Sequence, residues 1–224
     1  MSSHDPILPQ QKLMASWDGR AVDERGILRI LNENGTRSPL FWIFNGAPEP
    51  ARLAKCLGDD QPLIYSRSSH LLVRPGDDPM DIRNILARYL ACELCQHFPE
   101  ASFDIGTSCQ GSTIAMAVCN LLREAGKGVG HLCLINCSLP EIVTDRPALL
   151  VYGDQDTASN PFHKDPVGAG KRAKSAFSEY EKYMVRAEHG QFYSEGTVEM
   201  LIDRFYAFRS RVAGSGEAKR ALTA

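Results

Sequence analysis

Residues 105–115 read IGTSCQGSTIA, a polar Ser-Cys pair between a strand-like apolar run and a helix that opens on glycine and serine. Either Ser108 or Cys109 could act there as a nucleophile. A nucleophile presented at a sharp strand-to-helix turn takes the form G-x-Nuc-x-G, because the turn tolerates only small residues on either side. With Ser108 as nucleophile, Gly106 lies two residues before it, but Gln110 lies two after, where bulk would clash. With Cys109, the flanking Thr107, Gly111 and Ser112 are all small. Each frame breaks one glycine, and only the Cys109 frame keeps the turn small throughout. The same letters also suit a plain loop with an N-capping hydroxyl, so partners elsewhere in the chain must decide.

A nucleophile of this kind needs a base, an orienting group and an oxyanion hole. His189, in AEHGQFY, follows the last strand-like run and precedes the last helical one, the place of the general base in the chain order nucleophile, acid, histidine. His4, His70, His97, His131 and His163 have no such placement. Two residues compete for the third position. Asp156 ends VYGDQD in a G-x-x-D arrangement after a strand, and Asn136 stands at the tip of HLCLIN. Either is compatible with a cysteine nucleophile, since Cys-His-Asn arrangements also work; Asp154 reads as a solvated turn residue. One oxyanion donor is expected from the Gln110 N–H, directly after the nucleophile. The other is expected from the loop after LFWIFN, where Gly46 and Ala47 follow Asn45 and leave the backbone open.

These residues must be held by a scaffold. GILRIL (26–31), PLFWIFN (39–45) and QPLIYS (61–66) predict strands, with a short helix at EPARLAKCL between the last two. A helix over 80–97 presents Ile82, Leu86, Tyr89 and Leu90 on one face at the 3.6-residue period. Strand 102–106 leads through the Ser-Cys turn into a helix over 112–125, stopped by Gly126. Strands at 131–136, 148–153 and 182–187 follow, then a helix at 195–211 with Val198, Leu201, Ile202, Phe205 and Phe208 inward. Strands alternating with helices predict an α/β fold, a mostly parallel sheet covered on both faces. Residues 1–25 are weakly patterned and read as a polar arm, 26–212 as the domain, and 213–224 as a flexible tail.

The bulk properties narrow the function. At 224 residues and 43% hydrophobic, the chain can bury one sizeable core. A formal net charge of −2 gives no basic footprint for nucleic acid or anionic membrane. No apolar run is long enough to span a bilayer, and the start lacks a signal-peptide layout, so a cytoplasmic location is expected. Seven cysteines without framework spacing fit a reduced compartment. Cys92 and Cys95 form a C-x-x-C late in a helix, with no second pair to complete a metal site. Cys56, Cys119, Cys133 and Cys137 sit in apolar surroundings and read as small core residues.

From PLFWIFNG through LAKCLGDDQPLIYSRSS, the elbow with IAMAVCNLLREAG, LCLIN and EHGQFY, the chain resembles the thioesterase domains of the α/β-hydrolase superfamily. These domains release acyl chains from the carrier proteins of nonribosomal peptide and polyketide synthases. The resemblance covers residues 26 to about 212, and aligning Cys109 with the family nucleophile brings Ala115, Leu122, Glu124, Ala125 and Gly126 into register. GTSCQGS is similar to a subset whose elbow reads close to G-G-N-C-Q-G-G. The resemblance implies Cys109, His189 and one of Asp156 and Asn136 as the triad, no cofactor, a substrate thioester on phosphopantetheine, and an acyl- or peptidyl-carrier protein as partner. Many members carry the acid where Asn136 stands here. Most also carry a helical lid where only residues 137–147 lie here, so a minimal or absent lid and an open site are expected. A small cysteine hydrolase resembling dienelactone hydrolase, and a non-catalytic binding relative, are the alternatives.

Overall fold

The computed structural model describes residues 5–139 and 142–221. Helix α1 (Ile7–Met14) and the short strands β1 (Arg20–Ala21) and β2 (Arg29–Leu31) come first. Then follow β3 (Leu40–Phe44), α2 (Pro48–Leu57), β4 (Leu63–Arg67), α3 (Pro79–His97) and β5 (Ser102–Ser108). A single 3-10 turn at Cys109–Gly111 leads into α4 (Ser112–Glu124), β6 (Gly128–Ile135) and β7 (Ala148–Gly153). Helices α5 (Pro161–Lys164) and α6 (Pro166–Ala176), strand β8 (Tyr180–Val185) and helix α7 (Thr197–Ala221) complete the order.

The eight strands form one sheet in the order β1-β2-β4-β3-β5-β6-β7-β8. Only the β1–β2 and β2–β4 pairs are antiparallel; the other five are parallel. Parallel strands need crossovers, and the crossover helices cover both faces. Strand β3 shows the consequence, for all five of its residues are buried. Leu40, Trp42 and Phe44 face a layer with Leu53 of α2 and Leu201 and Phe205 of α7. Phe41 and Ile43 face the opposite layer, with Leu86 and Leu90 of α3 and Ile114 and Val118 of α4. Burying a side chain such as Phe205 contributes roughly 1.5–3 kcal/mol, so α7 is held by its stripe of apolar residues.

The predicted strands and long helices are present with shifted ends. Three features differ. The expected polar arm carries α1 and β1, with Met14 and Trp17 buried beside Tyr65, and Gln10 Nε2 donates to the Arg67 carbonyl at 2.6 Å. Helices α5 and α6 fill a stretch where the periodicity gave no helix, because α6 contacts the core through Ala169, Ala173 and Ala176, a stripe too small to stand out. Helix α7 continues through Ala221, past the 212 boundary. Between β6 and β7 the described residues form neither helix nor strand, so they build no helical lid there. No helix among the described residues is long and apolar enough to cross a membrane.

Candidate active site

Strand β5 stays extended through Ser108, at φ −125° and ψ 146°. Cys109 then takes φ 47°, in the left-handed region. A non-glycine residue there costs on the order of 1–3 kcal/mol and is held only by its surroundings. Gly111 explains how the turn closes, since a Cβ on it would run into Thr107 Oγ1 and approach the Ile43 side chain to 2.9 Å. The small residue two positions after Cys109 is therefore a steric requirement. Gly106 has a different cause. It pairs with Trp42 across β3–β5, and a Cβ on it would fall inside the indole ring. The glycine that favoured the Ser108 frame thus serves core packing. Ser108 itself is buried, and its hydroxyl accepts a hydrogen bond from Asn45 Nδ2 at 3.1 Å. Cys109 is half-buried and lines the cavities at this edge of the sheet.

Both candidates for the third position lie beside His189. His189 Nδ1 is 2.9 Å from Asp156 Oδ2. Asn136, at φ 51° where β6 ends, donates from Nδ2 to the same Asp156 oxygen at 2.8 Å and lies 2.9 Å from His189 Nδ1. The Ser159 N–H donates to the other Asp156 oxygen at 3.1 Å. An acceptor-only carboxylate facing Nδ1 favours the tautomer with its proton there, which leaves the lone pair on Nε2. Burial raises the Asp156 pKa, but hydrogen bonds from His189, Asn136 and Ser159 outweigh it and hold the carboxyl below its ordinary value. Asp156 is thus an anion with its partners satisfied, and Asn136 buttresses it.

Near the sulfur, the backbone N–H of Gln110, the first expected oxyanion donor, hydrogen-bonds toward Cys109 and favours its thiolate. The second donor differs from expectation. Glu49, at the start of α2, turns its carboxylate back onto the loop and accepts from the Asn45 N–H at 3.0 Å and from the Gly46 N–H. This is the reach-back of a helix-capping glutamate, and it occupies the backbone that was expected to stand open. Ala47 is the residue capping α2, and neither it nor Gly46 borders the Cys109 cavities, whereas Asn45 and Glu49 do. Burial raises the Cys109 pKa; the Gln110 N–H opposes this, and the charges of Asp156 and Glu49 add to it. Raised above its ordinary value, the group rests as a thiol near neutral pH.

Glu49→Gln removes one negative charge facing the sulfur while keeping an acceptor for the loop. The pH midpoint of Cys109 alkylation by iodoacetamide should fall, and the rate near neutral pH should rise about 2- to 10-fold. A midpoint that stays put or climbs would contradict the role of Glu49 in holding the thiol protonated.

Two cavities meet at Cys109. One, of about 40 Å³, is bordered by Glu49, Phe192 and Tyr193, and the other is a groove of about 350 Å³ running past Gln110 and Ser159; Asn136 and His189 border both. No hydrogen bond joins Cys109 to His189 among the described residues. Glu49, Ser159 and Asn45 were not assigned roles from the sequence. For Glu49 a signal existed, a proline at a helix start followed by an acid, which reads as a cap.

No family model matches the chain, and none of the curated proteins compared does. Solved structures do. Fold and site together define an α/β-hydrolase-fold protein with Cys109 at the turn between β5 and α4. The NocB thioesterase domain from the nocardicin cluster is similar at 14% identity and a TM-score of 0.63, covering 81% of this chain and 97% of that one. YbtT, a type II thioesterase from the yersiniabactin NRPS/PKS biosynthetic pathway, shares 14% identity at a TM-score of 0.59, over 87% and 96% of the two chains. The hyperthermophilic esterase from the archaeon Pyrobaculum calidifontis shares 13% at 0.56, over 92% and 90%.

Proposed function

We propose that this protein is a thioesterase-type acyl hydrolase or acyltransferase that works on thioesters carried by the phosphopantetheine arm of acyl- or peptidyl-carrier proteins. The observation that carries the proposal is the strained Cys109 at the end of β5, bordering the same cavities as His189, whose Nδ1 is bound to Asp156. Thioesterases among the solved structures with this fold support it.

His189 Nε2 accepts the thiol proton as Cys109 Sγ attacks the thioester carbonyl. Because the thiol is protonated at rest, proton transfer accompanies attack. The tetrahedral oxyanion is met by the Gln110 N–H, and a second backbone donor from the Asn45–Gly46 loop becomes free only when Glu49 releases it. Collapse expels the carrier thiol, which recovers its proton from His189, and leaves an acyl thioester on Cys109. That exchange of one thioester for another is nearly balanced in free energy, so water, an amine or a hydroxyl can each complete the reaction. Incubation with a carrier-bound acyl thioester and intact-mass detection of a Cys109 adduct tests the proposal; a small lactone should form none.

Asp156 and Asn136 separate by charge and tautomer. Asp156→Asn lets an amide N–H face Nδ1 and favours the wrong tautomer, so turnover should fall about 10²–10⁴-fold. Asn136→Ala removes one hydrogen bond to a carboxylate that keeps two others, so a loss within about 10-fold is expected. Steady-state kinetics on the two variants check this, and a larger loss for Asn136→Ala would reverse the assignment.

A further inference from the structure

The two cavities at Cys109 differ in charge as well as size. The small one holds the Glu49 carboxylate. The groove is bordered by Arg83 from α3 and Lys164 from α5, and no carboxylate side chain borders it among the described residues. The remaining walls are neutral and hydrogen-bonding, with Ser112, Thr113, Ser138 and Ser159 among them. Neither cation has an ion-pair partner among the described residues. Arg83 Nε is buried with no partner, and Nη1 makes only a 3.7 Å contact to the Met80 sulfur. Asp156 is occupied by His189, Asn136 and Ser159. A guanidinium with a buried, unmatched donor is costly unless something anionic completes it, and a groove lined by one sign of charge gathers the opposite one.

Size sets the direction of the substrate. About 40 Å³ holds roughly one water-sized group, so the longer limb of a thioester at Cys109 must run along the groove between Arg83 and Lys164. We infer that Arg83 and Lys164 form an anion subsite in this groove, which binds a phosphate or carboxylate on the longer limb of the thioester and turns its short end toward Glu49. The short end is then small and neutral or cationic, because an anion there would face Glu49. Arginine suits this role, since its fork meets an oxyanion group with two donors at once. The inference rests on Cys109 being the point of attack, and it adds the charge and orientation of what is attacked. Two sources supply such an anion, the phosphate of the thiol arm or a carboxylate on the acyl group.

Calorimetric titration of the full chain carrying Cys109→Ala measures binding without chemistry, so its outcome is independent of whether an acyl-enzyme forms. Pantetheine is compared with 4′-phosphopantetheine, and S-octanoyl-N-acetylcysteamine with S-suberyl-N-acetylcysteamine, whose longer limb is the acyl chain. If the thiol arm is the source, the phosphate should tighten binding at least about tenfold; if the acyl group is, the suberyl ligand should gain by that factor. In either case Arg83→Gln and Lys164→Gln should each erase most of the gain and leave the neutral ligands unchanged, while Arg83→Lys keeps part of it. Lys164 is exposed, so its variant remains informative should Arg83→Gln fold poorly. Equal affinity for charged and neutral ligands, or a gain untouched by both glutamine variants, would overturn the subsite.

Discussion

Cys109→Ala is expected to abolish the acyl adduct seen by intact mass and to lower thioester turnover by about 10⁴–10⁶-fold, while Ser108→Ala keeps both within about tenfold. The contrast follows from one peptide unit. Ser108 is the last extended residue of β5, with its hydroxyl buried against Asn45. Cys109 is the first residue past the strand, at positive φ, and borders both cavities that His189 borders, where Ser108 borders only the smaller one. Removing the Ser108 hydroxyl deletes one neutral hydrogen bond, worth roughly 0.5–1.5 kcal/mol. Removing the sulfur deletes the group at the turn to which the acyl chain is expected to be joined. Acylation of the Cys109→Ala protein, or its loss in Ser108→Ala, would move the nucleophile to the serine.

His189→Ala should cost about 10²–10⁴-fold in turnover. The ring is 56% exposed at its side chain while Asp156 beneath it is 5% exposed, so the base is open to solvent and its anchor is not. Added imidazole should therefore restore part of the activity lost by His189→Ala. It should restore none to Cys109→Ala, whose defect is the missing sulfur. Asp156 retains Asn136 and the Ser159 N–H after the change, which keeps the buried carboxylate satisfied and the variant folded. Wild-type turnover by His189→Ala would end the triad assignment.

Local patterns carried much of this protein. Alternation of strands and helices named the α/β class, and the run of small residues around Cys109 marked the turn, because sterics at Gly111 act within a few residues. The order of motifs pointed to His189. Local patterns were silent where the cause was distant. Helix α1 has a weak apolar stripe and buries Gln10, so its place depends on a carbonyl offered by Arg67, far along the chain. Gly106 looked like part of a nucleophile motif and is instead a seat for Trp42 on the neighbouring strand.

The site's electrostatics belong wholly to the tertiary structure. Sequence order alone left Asp156 and Asn136 as rivals; the fold seats them on one another, 2.8 Å apart, and brings both to 2.9 Å from His189 Nδ1. Glu49 reads as a helix cap until the pairing of β3 with β5 brings the start of α2 to the end of β5, when its charge reaches the sulfur and helps to keep the thiol protonated. Arg83 and Lys164, on helices far apart in sequence, become the two walls of one groove only after the sheet is assembled. Periodicity and turn chemistry act between near neighbours and so can be read from the chain. Coulomb fields and desolvation depend on separations through space, and the folded sheet alone sets those distances.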